Sequence, residues 1–257
     1  MERTAVSGRP VTRLEWRVAT VAGVREETAR TRSLTLQVPE WPGHTAGQHV
    51  DVRLVAEDGY QAQRSYSIAS APEDETLELT VERLEDGEVS SYLCDVLRAG
   101  DGLEVRGPIG GYFVWNSSTE EPLLLVGGGS GIVPLMCMLR HRARLDAHAR
   151  ARVPAVLLYS ARTLDDVIYK EELRTKAEGD GALDVCITLT RDPPSEWRGS
   201  RGRVDRAMLE RVTEGLSGRP NAFVCGPTPF TETVATLLVE LGHEPSRIRT
   251  ERFGPTG

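Results

Sequence analysis

The stretch LLLVGGGSGIVPLMCML, residues 123–139, runs from an apolar strand through four glycines and a serine into a helical pattern. Leu123 to Val126 contain no polar residue, which suits a strand covered on both faces. Gly127, Gly128, Gly129, Ser130 and Gly131 then leave the backbone almost bare. A bare turn lets a diphosphate approach main-chain N–H groups, and the helix that follows points the positive end of its dipole at it. The spacing departs from the dinucleotide fingerprint G-x-G-x-x-G, because Ile132 stands where the third glycine would fall and Pro134 follows in the first helical turn. Taken alone, the stretch fits an anion site or a tight strand-to-helix turn that binds nothing.

Downstream the same rhythm repeats. AVLLY (155–159), LDVCITL (183–189) and AFVCG (222–226) are further unbroken apolar strands, and they alternate with helical stretches at 132–145, 165–177, 205–213 and 230–241. A last short strand is expected near RIRTE (247–251). Apolar strands alternating with helices imply a parallel sheet with both faces covered. Upstream the pattern is different. EWRVATV, SLTLQV, HVDVRLV, ETLELTVERL and GLEVRGP alternate polar and apolar residues between Gly, Pro, Asp and Glu, the mark of a small antiparallel barrel. The chain of 257 residues therefore divides into an antiparallel β-barrel domain, residues 1–114, and an α/β parallel-sheet domain, residues 122–257, with the boundary in WNSSTEEP.

Composition limits the functions open to it. Apolar residues make up 39% and charged residues 27%, as in a soluble globular protein. No apolar run reaches membrane-spanning length and the N-terminus lacks the apolar core of a secretory signal, so a cytoplasmic location without membrane attachment is expected. A net charge of −7 argues against nucleic acid as a partner. Cys94, Cys137, Cys186 and Cys225 are widely spaced, which fits core packing and not a zinc or iron–sulfur site, so no metal is expected. The run RHRAR (140–144) reads as a solvated helix face.

Six short segments, taken together, suggest a family. RSYS (64–67), GEVSSYL (87–93), GPIGGYF (107–113), GGGSGIVP (127–134), CGPTPF (225–230) and ERFG (251–254) occur in an order and spacing that resembles the ferredoxin–NADP reductase family of flavoproteins, over nearly the whole chain from about Arg13 to Gly257. The resemblance implies an FAD-binding barrel followed by a pyridine-nucleotide domain. Arg64 then corresponds to the arginine that neutralises the flavin diphosphate, Tyr66 to the ring packed on the isoalloxazine, and Ser67 to the hydroxyl beside the flavin nitrogen that receives hydride. Gly87, Val89 and Ser90 correspond to the helix start that holds the flavin diphosphate. Gly128, Gly129, Ser130 and Gly131 take the nucleotide diphosphate, and Cys225, Gly226 and Pro227 border the nicotinamide. Glu251 resembles a glutamate near the hydride path. Phe253 stands where some members shield the flavin with an aromatic, although here GPTG follows it, which leaves open whether it stacks on the ring or lies beside it. Ser67, Cys225 and Glu251 are the candidate catalytic groups.

The family contacts the adenosine ribose after the second and third strands, here YSARTLDDVIYKEEL and LTRDPP. An acidic residue at the end of the second strand would favour a free ribose hydroxyl, whereas cations and hydroxyls favour a 2′-phosphate. Ser160, Arg162 and Arg191 predict NADPH, with Asp165 and Asp166 close enough to keep NADH open. The implied reaction is hydride transfer from NADPH to FAD, then release of electrons to a separate acceptor, a ferredoxin or flavodoxin, since no cysteine-rich iron–sulfur segment lies in the sequence. Arg30 and Arg32 are candidates for steering an acidic carrier. The alternatives are a reductase component of an oxygenase, a free-flavin reductase, and a noncatalytic nucleotide-binding subunit.

Overall fold

The structure is a computed structural model describing residues 14–216 and 218–254. The expected ends of both domains, residues 1–13 and 255–257, lie outside the described residues, as does most of the GPTG tail. The first sheet is built from β1 (Trp16–Thr28), β2 (Thr31–Gln37), β3 (His49–Val55), β4 (Gln61–Ser67), β5 (Leu77–Glu82) and β6 (Gly102–Ile109), with a short helix α1 (Glu88–Ser91) that continues as a wider turn over Tyr92–Val96. The strands pair antiparallel in the order β4-β3-β6-β1-β2-β5. A bridge from Ile68 to Leu79 joins the two outer strands and closes the sheet on itself.

Alternation explains this barrel. Ala19, Val21, Leu34, Leu36, Val50, Val52, Leu79 and Val105 point inward and are buried, while their neighbours along each strand are more often polar and face out. Val89, Leu93 and Leu97 of the α1 segment fill the same core.

The second sheet holds β7 (Leu123–Gly128), β8 (Ala155–Ala161), β9 (Leu183–Leu189), β10 (Ser200–Arg201), β11 (Asn221–Pro227) and β12 (Ile248–Phe253). Its helices are α2 (Ile132–Ala143), α3 (Ala147–Arg152), α4 (Lys170–Gly179), α5 (Arg206–Glu214) and α6 (Thr228–Glu240). All strands run parallel, in the order β10-β9-β8-β7-β11-β12. The unbroken apolar runs follow from burial on both faces: Leu123, Leu125, Leu157, Tyr159 and Phe223 pack toward α2, and Leu124, Val126, Val156, Leu158 and Val224 pack with α5 and α6 residues.

Two local expectations are corrected and one short element is added. The helix expected at 165–177 starts at Lys170, because Asp166 caps its own short turn through Thr163 and Tyr169 takes a left-handed backbone, φ 58°. The short helix α3 was not read from the sequence; Asp146 caps it by accepting from Ala149 N–H at 2.8 Å. The RHRAR run is not a solvated face. Arg142 has a side chain only 1% exposed and Arg140 one only 13% exposed, each held by carboxylates far away in sequence.

The two sheets share a core. Ala46, Ala69, Phe113 and Trp115, from the barrel and the segment leaving it, pack with Leu123, Met136, Met138 and Phe223. Gly47 sits so close to this junction that a Cβ there would overlap the Phe113 carbonyl oxygen and the Met138 side chain.

Candidate functional site

The chain leaves β7 toward β8 on one side and returns to β11 on the other. This is a switch point, and in open parallel sheets the crevice beyond the strand ends at such a point is where ligands bind. Gly127 and Gly128 end β7, Gly129 has a positive φ of 57°, and Gly129–Gly131 form a short 3-10 turn that leads into α2. Packing explains the glycines. A Cβ on Gly131 would overlap the Cys225 carbonyl oxygen and approach Gly226 N to 2.9 Å. Cβ atoms on Gly128 and Gly226 would meet the Phe230 ring at 3.0 and 2.7 Å. Gly131 thus makes the close helix-to-strand contact, and Ile132, which takes the third glycine's place, is fully buried in the core.

Cys225 lies on β11 between Gly127 of β7 and Glu251 of β12. Its Sγ is 3.8 Å from Glu251 Oε2. Burial, then the neighbouring glutamate, pushes the Cys225 thiol well above its ordinary range, so it stays protonated. Burial also pushes the Glu251 carboxyl up to about 7, with the Cys225 hydrogen bond opposing slightly. A carboxyl raised in the folded state adds stability that is fully present below its unfolded pKa and is lost as pH rises through the folded one. Here the window runs from 4.5 to about 7. The difference amounts to at most about 3 kcal/mol by pH 8. Glu251→Gln is therefore expected to flatten the decline in melting temperature between pH 5 and 8, and a variant that melts with the wild-type pH dependence contradicts this.

In the barrel, Arg64, Tyr66 and Ser67 lie on β4 opposite Val52, Val50 and His49. Arg64 is exposed, and its Nη1 donates to the Gln63 carbonyl at 2.7 Å. Tyr66 and Ser67 are half-buried, and burial raises the Tyr66 phenol above its ordinary range. The barrel and the crevice adjoin: the glycine turn lies against β5, whose Leu79 is bridged to Ile68, the residue after Ser67.

Gly87 caps α1. Ser90 Oγ accepts from Leu84 N–H at 3.1 Å and donates to the Gly87 carbonyl at 3.1 Å, so this hydroxyl is engaged in closing its own turn. Val89 is buried beneath. At the other edge Ser160, the last residue but one of β8, lies opposite Gly128. Arg191 N–H donates to the Arg162 carbonyl at 2.7 Å, so the loops after β8 and β9 are tied together and both exposed guanidiniums leave the same edge. Of the nearby acids, Asp166 is occupied by Thr163, which leaves Asp165 exposed. Phe253 is half-buried, pairs in register with Pro227 and packs on the core.

The structure adds residues the sequence did not single out. His49 stands opposite Ser67 with its imidazole lowered by burial, Phe230 covers Gly128 and Gly226, and the Tyr112 hydroxyl donates to the Ile248 carbonyl at 3.3 Å. Phe230 was visible within CGPTPF, whereas nothing in an alternating strand marked His49. Arg30 and Arg32 sit at the β1–β2 turn beside Arg83, where Arg32 pairs with Glu26 and Arg30 donates to the Arg83 carbonyl. That turn lies at the far end of β5 from Glu78, the end that meets the second domain. Among the described residues no helix is long and apolar enough to cross a membrane.

Comparison with known proteins agrees with this layout. Residues 19–114 match the family model described as the oxidoreductase FAD-binding domain, and residues 125–236 match the oxidoreductase NAD-binding domain. Over 214 residues the chain is 37% identical to ferredoxin–NADP reductase B of Sorangium cellulosum, covering 81% of this chain and 84% of that one. Over 212 residues it is 36% identical to the glycine betaine monooxygenase reductase subunit of Pseudomonas aeruginosa, covering 82% of this chain but 56% of the relative, so the chain spans about half the length of that protein. The crystal structure of a cytochrome P450 reductase from Amycolatopsis superposes with a TM-score of 0.81 at 29% identity, covering 99% of this chain and 74% of that one.

Proposed function

Because the chain belongs to the ferredoxin–NADP reductase-like family of FAD- and NAD(P)-binding oxidoreductases, we propose that it is a flavoprotein reductase that takes hydride from NADPH and passes electrons to a separate acceptor protein. The observation that carries this reading is the crevice where the glycine turn, Cys225 and Glu251 converge against β5, the strand bridged to Ile68 just after the Arg64, Tyr66 and Ser67 of β4. The residues fit the cofactors. Arg64 offers an exposed guanidinium to the flavin diphosphate, and Gly87, Val89 and Ser90 form the turn against which that diphosphate lies. FAD, when bound, supplies a carrier that accepts two electrons as hydride and releases them singly.

The chain's own groups orient, shield and hold protons. Tyr66 would pack on the flavin ring with Phe253 on it or beside it, and Ser67 would place its hydroxyl near the nitrogen that receives hydride. Gly128, Gly129, Ser130 and Gly131 receive the nucleotide diphosphate on bare backbone, and Cys225, Gly226 and Pro227 border the nicotinamide. Cys225 stays a thiol, so it packs and does not attack. The Glu251 carboxyl, raised to about 7, can take up and release a proton near neutral pH, while its Oε2 accepts from Cys225 Sγ. Ser160, Arg162 and Arg191 favour a ribose 2′-phosphate, because both guanidiniums are exposed and Asp166 is turned to its own cap.

Similarity to a monooxygenase reductase subunit favours an oxygenase component as the second reading of the acceptor, beside a ferredoxin or flavodoxin. The test is direct. Purified protein incubated with excess FAD and desalted is expected to stay yellow and to bleach on anaerobic addition of NADPH. Its kcat/KM is expected to be about tenfold higher for NADPH than for NADH, the worth of one charge-assisted contact. A colourless protein that binds nucleotide would instead indicate a noncatalytic subunit, and equal kcat/KM values would remove the NADPH assignment.

A further inference from the structure

Helix α2 carries a second set of contacts, and they reach across to the barrel. Cys137, Arg140, His141 and Arg144 are spaced to lie on one helical stripe, and that stripe faces the segment that continues from Ser67. Cys137 Sγ donates to the Ser70 carbonyl at 2.9 Å, His141 Nδ1 lies 2.6 Å from the Glu73 carboxylate, and Arg144 pairs with Asp74. Arg140 is the centre. Its Nη1 donates to the Ala69 carbonyl at 3.0 Å and to Glu78 at 2.6 Å, while Nε and Nη2 fork onto Glu172 at 2.9 and 2.6 Å. The guanidinium lies over the Tyr169 ring, 5.1 Å from its centroid, and the Tyr169 hydroxyl donates to Thr80 of the barrel.

We propose that Arg140 is a positioning residue for hydride transfer: by locking α2 to Ala69 and Glu78 it sets the gap between the glycine turn and the strand carrying Tyr66 and Ser67. This rests on the reductase reading above. The shared apolar core already holds the two sheets together, and apolar packing has little directional preference. A forked guanidinium does have one, since its donors are satisfied only at fixed angles. A largely buried ion pair adds little net stability, and its best-attested use is to specify one arrangement over others. The lever is short and stiff. From Ile132 to Arg140 the helix rises about 12 Å, so movement at the lock is delivered to the turn at its other end.

The test uses the FAD-loaded protein. Arg140→Met keeps the length of the stem and removes the fork. It is expected to keep FAD content and the KM for NADPH while slowing flavin reduction in stopped flow by about 10- to 100-fold, the scale of a misplacement near 1 Å. Reoxidation of the photoreduced protein by ferricyanide, which needs no nicotinamide, is expected to stay at the wild-type rate. Arg140→Lys is expected to recover only part of the loss, because a lysine carries the charge without the fork. Glu78→Gln removes the barrel's carboxylate at constant volume, is expected to show the same split with a smaller fall, and decides the matter if Arg140→Met does not fold. A wild-type reduction rate in these variants overturns the proposal, as does a parallel fall in FAD content and in both half-reactions. If the unmutated protein is reduced by neither NADPH nor NADH, the reductase reading itself fails, a result distinct from either.

Discussion

Gly131→Ala is expected to lower kcat/KM for NADPH about 100-fold while FAD content stays near that of the wild type. The reason is backbone against backbone. The new Cβ would overlap the Cys225 carbonyl oxygen, lie 2.5 Å from its carbon and 2.9 Å from Gly226 N, and no flexible side chain is there to yield. Relief requires the glycine turn to move away from the end of β11, which widens the crevice where nucleotide diphosphate and nicotinamide are proposed to bind. Overpacking of this kind also lowers stability by about 1 to 3 kcal/mol. The flavin side is spared, because Arg64, Gly87 and Ser90 belong to the barrel. Gly179→Ala is the matched control, with nothing within 4 Å of its added Cβ, and is expected to behave as wild type. Steady-state kinetics with flavin absorbance would settle it; a Gly131→Ala enzyme within about threefold of wild type would show that the contact is soft.

The same glycine marks what a sequence can and cannot tell. The strand-to-helix turn at 123–139 was legible because unbroken apolar strands and bare glycines follow from local physics. The fingerprint did not reveal which glycine makes the close approach. Counting positions put that role on the residue that is Ile132, whereas packing assigns it to Gly131. The barrel was legible from alternation, since Leu34 and Leu36 or Val50 and Val52 recur at the period of a strand. The start of α4 was not, because nothing in the type of Tyr169 announces a left-handed backbone. His49 was hidden for a related reason, as its place opposite Ser67 depends on register between strands.

Charge was the least legible. RHRAR looks solvated when read locally, because arginines are seldom buried alone. The partners that make burial possible are Glu78, Glu172 and Asp180, which lie 62, 32 and 38 residues from the arginines they hold. Only the fold brings them together. The consequence is that two neighbouring arginines on α2 do different work: Arg140 reaches across to the barrel, and Arg142 stays within its own domain.

Arg142→Leu is accordingly expected to destabilise the protein by about 3 to 5 kcal/mol, the loss typical of removing one partner from a buried charged network. Arg142 donates Nε to the Val153 carbonyl at 2.7 Å, Nη1 to Asp180 at 2.5 Å, and Nη2 to the Arg150 and Ala182 carbonyls at 3.1 and 2.9 Å. One side chain thus joins the end of α3 to the approach of β9. A leucine fills part of the space and satisfies none of these acceptors. Arg150 remains 3.7 Å from Asp180 but is more exposed, and its Nη1 already donates to the Leu145 carbonyl at 2.6 Å. Its own removal, Arg150→Ala, is expected to cost about 1 kcal/mol or less. The deficit of Arg142→Leu also depends on pH. Burial raises the Asp180 carboxyl, yet the Arg142 hydrogen bond, the Ala182 N–H and the two arginine charges together hold it below its ordinary value. A carboxyl lowered in the folded state adds stability that is present above its unfolded pKa of 3.8 and is lost as pH falls through the folded one. The gap between wild type and Arg142→Leu is therefore expected to be widest near neutrality and to narrow below the ordinary carboxylate range. Urea unfolding at both ends of that range measures it, and a gap that is small at neutral pH or independent of pH would mean that the four acceptors find water or other donors once the guanidinium is gone.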